Sequence, residues 1–168
     1  MKSLLPSAAS ILLVAFLGAC GTAAPPIAPP PQAEFEALYD YPRPWVERLF
    51  WTRHQEVDLL YRLIFSDYQQ AWIEQEIPQG VFDQFMELYE LYIQLDERLV
   101  EEPLDQESSP AQLQWLEERH RLLAQRNEAL VLAYRTEAPG APEAFRRGHE
   151  ALASRHWELL VLVESLQG

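Results

Sequence analysis

A chain of 168 residues with 13 basic and 26 acidic side chains carries a net charge of −13. That surface repels a phosphate backbone and excludes nucleic-acid binding. A single cysteine, Cys20, excludes a disulfide framework and any paired-thiol chemistry.

The first element is a leader. Met1-Lys2 is followed by an apolar run from Leu4 to Phe16 and then by small residues. A charged start, a short apolar core and a small-residue end describe a secretory signal over residues 1–19, too short to be a transmembrane helix. With Lys2 in the leader, the remainder sets twelve arginines against 26 acids.

Leu17-Gly18-Ala19-Cys20 then resembles the lipobox of bacterial lipoproteins: a leucine, two small residues and a cysteine directly after the apolar run. The resemblance implies cleavage before Cys20, a diacylglycerol on its sulfur, and a further acyl chain such as palmitate on the new amino group. Two or more chains hold a protein stably at a membrane, where one is marginal. Gly21, in place of an aspartate, implies sorting to the outer membrane, facing the periplasm. Residues 20–32 contain "APPIAPPPQ", whose prolines favour extended polyproline II. This stretch is expected to be a linker that stands the domain away from the lipid.

From residue 33 to 168 the chain reads as one helical domain. "AEFEALYD" forms a short leading turn or helix. Pro42 and Pro44 open helix A, which runs toward Glu76, with a bend or break foreseen along it. Helix B covers Val81 to Glu102 and stops before Pro103. Ser109-Pro110-Ala111-Gln112 reads as an N-cap, a first-turn proline and a capping-box glutamine, starting helix C, which extends to Thr136. Pro142 starts helix D, which continues to Leu166.

Apolar residues recur in alternating steps of three and four along these helices. Helix B shows Val81, Phe85, Leu88, Tyr92, Leu95 and Leu99, and helices C and D repeat the pattern. Seams of this type joined by short loops predict an all-α, antiparallel up-down four-helix bundle.

All four histidines fall on apolar stripes. His54 sits with Phe50, Val57, Tyr61 and Ile64; His120 shares a seam with Asn127; His149 and His156 share another. One reading makes them core or boundary residues, with His120 and Asn127 setting register as polar core positions do. A second reading is a transition-metal or haem site. Glu117-x-x-His120 has the spacing of di-iron bundles, but the second such motif is missing. His149 and His156 lie about 10 Å apart on one helix, so either needs His120 or His54 from another helix. No Cys-x-x-Cys-His is present, which leaves non-covalent haem with Met86 as a second ligand. A third reading is pH sensitivity of the bundle. The pair Arg-His recurs at residues 53–54, 119–120 and 155–156 with no fixed period, so no solenoid is indicated.

No nucleophile elbow, phosphate loop or zinc-protease motif is present, and an enzyme is not expected. Two features point to interaction instead. Tyr41, Trp45 and Trp51 crowd one helix entry, where they either cap the bundle or anchor a partner. Glu101, Glu102 and Asp105 end an acidic run that suits a solvated face, a basic partner or a cation. The resulting expectation is a lipid-anchored, non-catalytic adaptor, assembly or accessory factor of the envelope, needing no cofactor. The alternative is a metal- or haem-binding bundle.

Overall fold

The structure is a computed structural model that describes residues 41–74 and 76–167. The leader, the lipobox, the proline-rich linker and "AEFEALYD" lie outside the described residues. Four helices follow in order: α1 (Arg43–Ile73), α2 (Gln79–Glu101), α3 (Pro110–Thr136) and α4 (Glu143–Gln167). All four begin and end within three residues of the expected positions. α1 is one continuous helix of 31 residues, about 46 Å long, so the foreseen break is absent.

Local chemistry sets the ends. Proline occupies the first turn of α1 and of α3, where its missing N–H has no intrahelical role. Ser109 Oγ accepts from Gln112 N at 3.1 Å, capping α3. The capping box is only half made. Gln112 Nε2 reaches instead to the Glu102 carbonyl at 2.8 Å, which fastens the start of α3 to the end of α2.

The helices form an all-α four-helix bundle in which each packs on its neighbours in sequence and α4 closes back on α1. Their directions follow from which side chains meet. Tyr61 stacks on Tyr92 and Tyr68 on Phe85, so a step of seven along α1 matches a step of seven backwards along α2. Tyr61 meets His156 and Tyr68 meets His149, making α4 antiparallel to α1. His120 meets His156 and Asn127 meets His149, making α3 antiparallel to α4.

The two sides of the bundle differ in width. Stacked rings fill the α1–α2 seam, from Tyr61–Tyr92 through Phe65–Tyr89 to Trp72–Phe82, and hold those helices apart. α3 and α4 approach more closely, and the buried alanines 124, 133 and 153 lie on these two helices. At Gly148 a Cβ would fall 2.7 Å from Ile64 Cδ1, so α4 lies against α1 at this turn only because no side chain intervenes.

Candidate functional site

Heptad spacing puts three pairs of polar side chains into the core: Tyr61 and Tyr68 on α1, His120 and Asn127 on α3, His149 and His156 on α4. Residues seven apart lie on nearly one line of a helix, two turns or about 10 Å apart. In the bundle they form two levels, one of His120, His156 and Tyr61, the next of Asn127, His149 and Tyr68. All six are fully buried.

They form one continuous hydrogen-bonded row. His120 Nδ1 lies 3.1 Å from His156 Nδ1, and His156 Nε2 lies 3.1 Å from the Tyr61 hydroxyl. Asn127 Nδ2 donates to that hydroxyl at 3.1 Å and to the Leu123 carbonyl at 2.8 Å. Asn127 Oδ1 is 2.8 Å from His149 Nδ1, and His149 Nε2 is 2.7 Å from the Tyr68 hydroxyl.

One backbone carbonyl sets the orientation at the middle of the row. Leu123 O can only accept, so the amide nitrogen of Asn127 faces it and the amide oxygen faces His149. His149 must then carry its proton on Nδ1 and accept from Tyr68 at Nε2. On the other side the Tyr61 hydroxyl accepts from Asn127, and its own proton finds an acceptor in the row only at His156 Nε2, to which it donates. That places the His156 proton on Nδ1, where it donates to His120 Nδ1 and leaves the His120 proton on Nε2. With one proton on each ring, all three imidazoles are neutral in this arrangement. Nitrogen NMR of the labelled protein should show Nδ1–H tautomers for His149 and His156 and Nε2–H for His120. An Nε2–H tautomer at His149 would contradict the assignment.

Burial enforces the neutrality. Desolvation pushes His149 and His156 down to about 3, with the nearby His54 adding to the shift at His156. His120 is held well below the usual imidazole range, first by desolvation and then by His156 and His54. Desolvation also raises Tyr61 and Tyr68 far above the ordinary phenol value, so both remain protonated donors.

The row stops at atoms with no partner among the described residues. His120 Nε2 is one, and the Tyr134 hydroxyl, beyond Tyr68, is another. Buried N–H and O–H groups of this kind cost about 1–3 kcal/mol each. His54 stands apart at the rim: its Nε2 is 3.1 Å from Asp96 Oδ1 of α2, while its Nδ1 is unpartnered.

The other sequence candidates fall outside the row. Glu117 lies on the outer side of α3, bonded to Arg121 and, at 3.1 Å, to Gln167 Nε2. The hydrogen bond from Arg121 lowers its pKa. It does not join His120, His149 or His156, and both nitrogens of His149 and of His156 are already engaged. No group of three or more metal-ligating side chains occurs among the described residues. Met86 packs against the core from α2, the one helix that contributes nothing to the row.

At the helix entry, Trp51 packs inward, as in the first of the two alternatives, capping the bundle. Its Nε1 donates to the Leu104 carbonyl at 3.1 Å and its ring stands edge-on to Phe50 and His54, which pins the α2–α3 loop to the core. Tyr41 and Trp45 stack at 4.2 Å and stay exposed. Glu101 and Glu102 are exposed, the latter paired with Arg98 at 3.2 Å. Asp105 is a turn residue: Oδ1 accepts from Glu107 N at 2.8 Å and its carbonyl accepts from Arg43.

Sequence reasoning missed Tyr61, Tyr68 and Asp96 as partners of the histidines. The signal for the tyrosines was present, since 61 and 68 repeat the spacing of 149 and 156. No family model matches the chain, and no curated protein or solved structure matches it.

Proposed function

We propose that the chain is a lipid-anchored envelope protein, held through Cys20 at the outer membrane, whose bundle serves without catalysis as an adaptor, assembly or accessory factor. The observation that carries the reading is the closed character of the core. In the row across three helices every polar side-chain atom except His120 Nε2 finds its partner inside the core, which suits a scaffold more than a site for substrate. The outer face of α2 adds to this: Asp83, Glu87, Glu90, Glu97 and Glu101 are exposed, and none makes an ion pair among the described residues. A ridge of that kind suits a basic partner docked by charge. Anchoring rests on Leu17-Gly18-Ala19-Cys20 and the proline-rich linker, which would hold the domain at high effective concentration near the membrane.

The test is Cys20→Ala. The parent chain is expected to incorporate labelled palmitate and to sediment with membranes, and the variant to lose the label and appear in the soluble fraction. A variant that keeps the label, or stays with the membranes after a high-salt wash, overturns the anchored reading. The metal or haem reading has in its favour two unpartnered buried imidazole nitrogens, His54 Nδ1 and His120 Nε2. Stoichiometric metal or a Soret band in the purified chain would replace the first reading with this one.

A further inference from the structure

The two halves of the buried row differ in how they take up an extra proton. Beyond Asn127, a proton added to His149 Nε2 finds room. The Tyr68 hydroxyl turns to accept it and points its own proton at the neighbouring Tyr134 hydroxyl, which is otherwise unpartnered. The half at the helix entry has no such reserve. His120 Nδ1 and His156 Nδ1 face each other at 3.1 Å and share one proton. A second proton at His120 Nδ1 sets donor against donor. One at His156 Nε2 leaves the Tyr61 hydroxyl proton without an acceptor in the row.

The groups around these two rings do not offset an added charge. From α1 come Tyr61 and His54, which disfavours charge on either ring. From α2 come Tyr92, whose hydroxyl is bonded to Asp58, and Asp96, which is bonded to His54. Glu117 of α3 and Glu164 of α4 lie on the outer side, both paired with Arg121. Among the described residues no carboxylate reaches His120 or His156.

This end of the bundle is covered by the loop 102–109. Trp51 holds it at the Leu104 carbonyl, Arg43 at that of Asp105 and Gln112 at that of Glu102, and the Leu104 side chain is buried. Trp51 stands edge-on to Phe50 at 5.7 Å, and Phe50 stands edge-on to His120 at 5.7 Å. Through two aromatic rings the loop rests on an imidazole that loses a bond when it gains a proton. We propose that the loop 102–109 is an acid-released strap: as pH falls through the imidazole range, the bundle opens locally at His120 and His156 while the end built on Asn127, His149 and Tyr68 stays packed. Opening lets the two rings ionise at their ordinary value, so it becomes easier as pH falls below about 6.5. The inference rests on the row and the loop, and holds whatever the chain binds.

Hydrogen exchange of the full chain at pH 7 and pH 6 tests it, with rates expressed as protection relative to an unstructured peptide. Amides of 113–120 are expected to be less protected than those of 127–134, equally deep from the other end of α3, by about tenfold or more at both pH values. Protection of 113–120 should fall by about tenfold from pH 7 to pH 6, the effect of two imidazoles freed to titrate. In His120→Asn, whose Oδ1 can still accept from His156 Nδ1, the fall should shrink to about threefold. Trp51→Phe, which removes the bond to Leu104, should lower the protection of 113–120 by the same factor at both pH values. Equal protection of the two ends of α3 overturns the proposal, since opening would then be global. So does protection of 113–120 that is independent of pH in the parent chain, or a fall that stays tenfold in His120→Asn.

Discussion

Lowering the pH from 7 to 5 is expected to remove about 4 kcal/mol of folding stability, about 2 kcal/mol for each of His149 and His156, with a further loss from His120. The sign follows from which state binds the proton. Unfolded, each imidazole titrates near 6.5; folded, His149 and His156 titrate at about 3 and His120 well below 6.5. Their folded pKa values are depressed, so the stability is fully present above 6.5. It is lost as pH falls below that value, and the loss continues until the folded groups themselves accept protons. Protonation of carboxylates lowers the net negative charge and so opposes the trend. A domain of this size has about 5–15 kcal/mol in all, so at pH 5 the bundle should be close to its limit. Urea denaturation at the two pH values measures this. The midpoint should fall by about 2 M or more, and an unchanged midpoint would mean that these imidazoles are not buried as neutral bases.

Replacing Asn127 by leucine should destabilise the bundle by about 3 kcal/mol at pH 7, although the side chains are close in size. The substitution leaves His149 Nδ1–H without an acceptor and removes the donor that orients the Tyr61 hydroxyl. Tyr68→Phe removes a single donor at the end of the row and should cost about half as much. The comparison has a definite failing outcome. Buried polar groups are sometimes replaced by apolar ones with a gain in stability. If Asn127→Leu is as stable as the parent, the row contributes nothing to the fold beyond filling space.

Much of this architecture was legible in the sequence because periodicity and proline placement are local signals. The alternation Val81, Phe85, Leu88, Tyr92, Leu95, Leu99 names the buried face of α2 residue by residue, and all six are buried. Ser109 marks the start of α3 by a bond to its own first turn. Pairing across helices is a different kind of information. That His156 faces His120 on one side and Tyr61 on the other depends on how far α4 slides along α3 and α1, which no single helix records. Tyr61 and Tyr68 read as apolar filling because a tyrosine in a stripe looks like any large hydrophobe until its hydroxyl has a partner. Trp51 was legible only as a pair of alternatives, capping or anchoring. It stood out as an aromatic beside Trp45, whereas its role is set by the Leu104 carbonyl, 53 residues away. The recurrent Arg-His pairs were a trace of the real arrangement. Arg53 and Arg155 bracket the α1–α4 contact, reaching Glu158 and Glu56 at 3.5 and 3.3 Å.

The buried row resembles a proton wire, with three imidazoles and two phenols in single file, yet Asn127 makes it an insulator. An imidazole or a hydroxyl passes a proton by accepting on one side and releasing on the other. A carboxamide accepts at oxygen and donates from nitrogen, and it returns to its starting form only if both of its own N–H bonds survive. A proton arriving at Tyr68 therefore passes to His149 and no further, and a charge on His120, His156 or Tyr61 stays within that half. The joint couples the two halves mechanically while keeping them electrically separate, so a single protonation burdens one end of the bundle and leaves the other neutral.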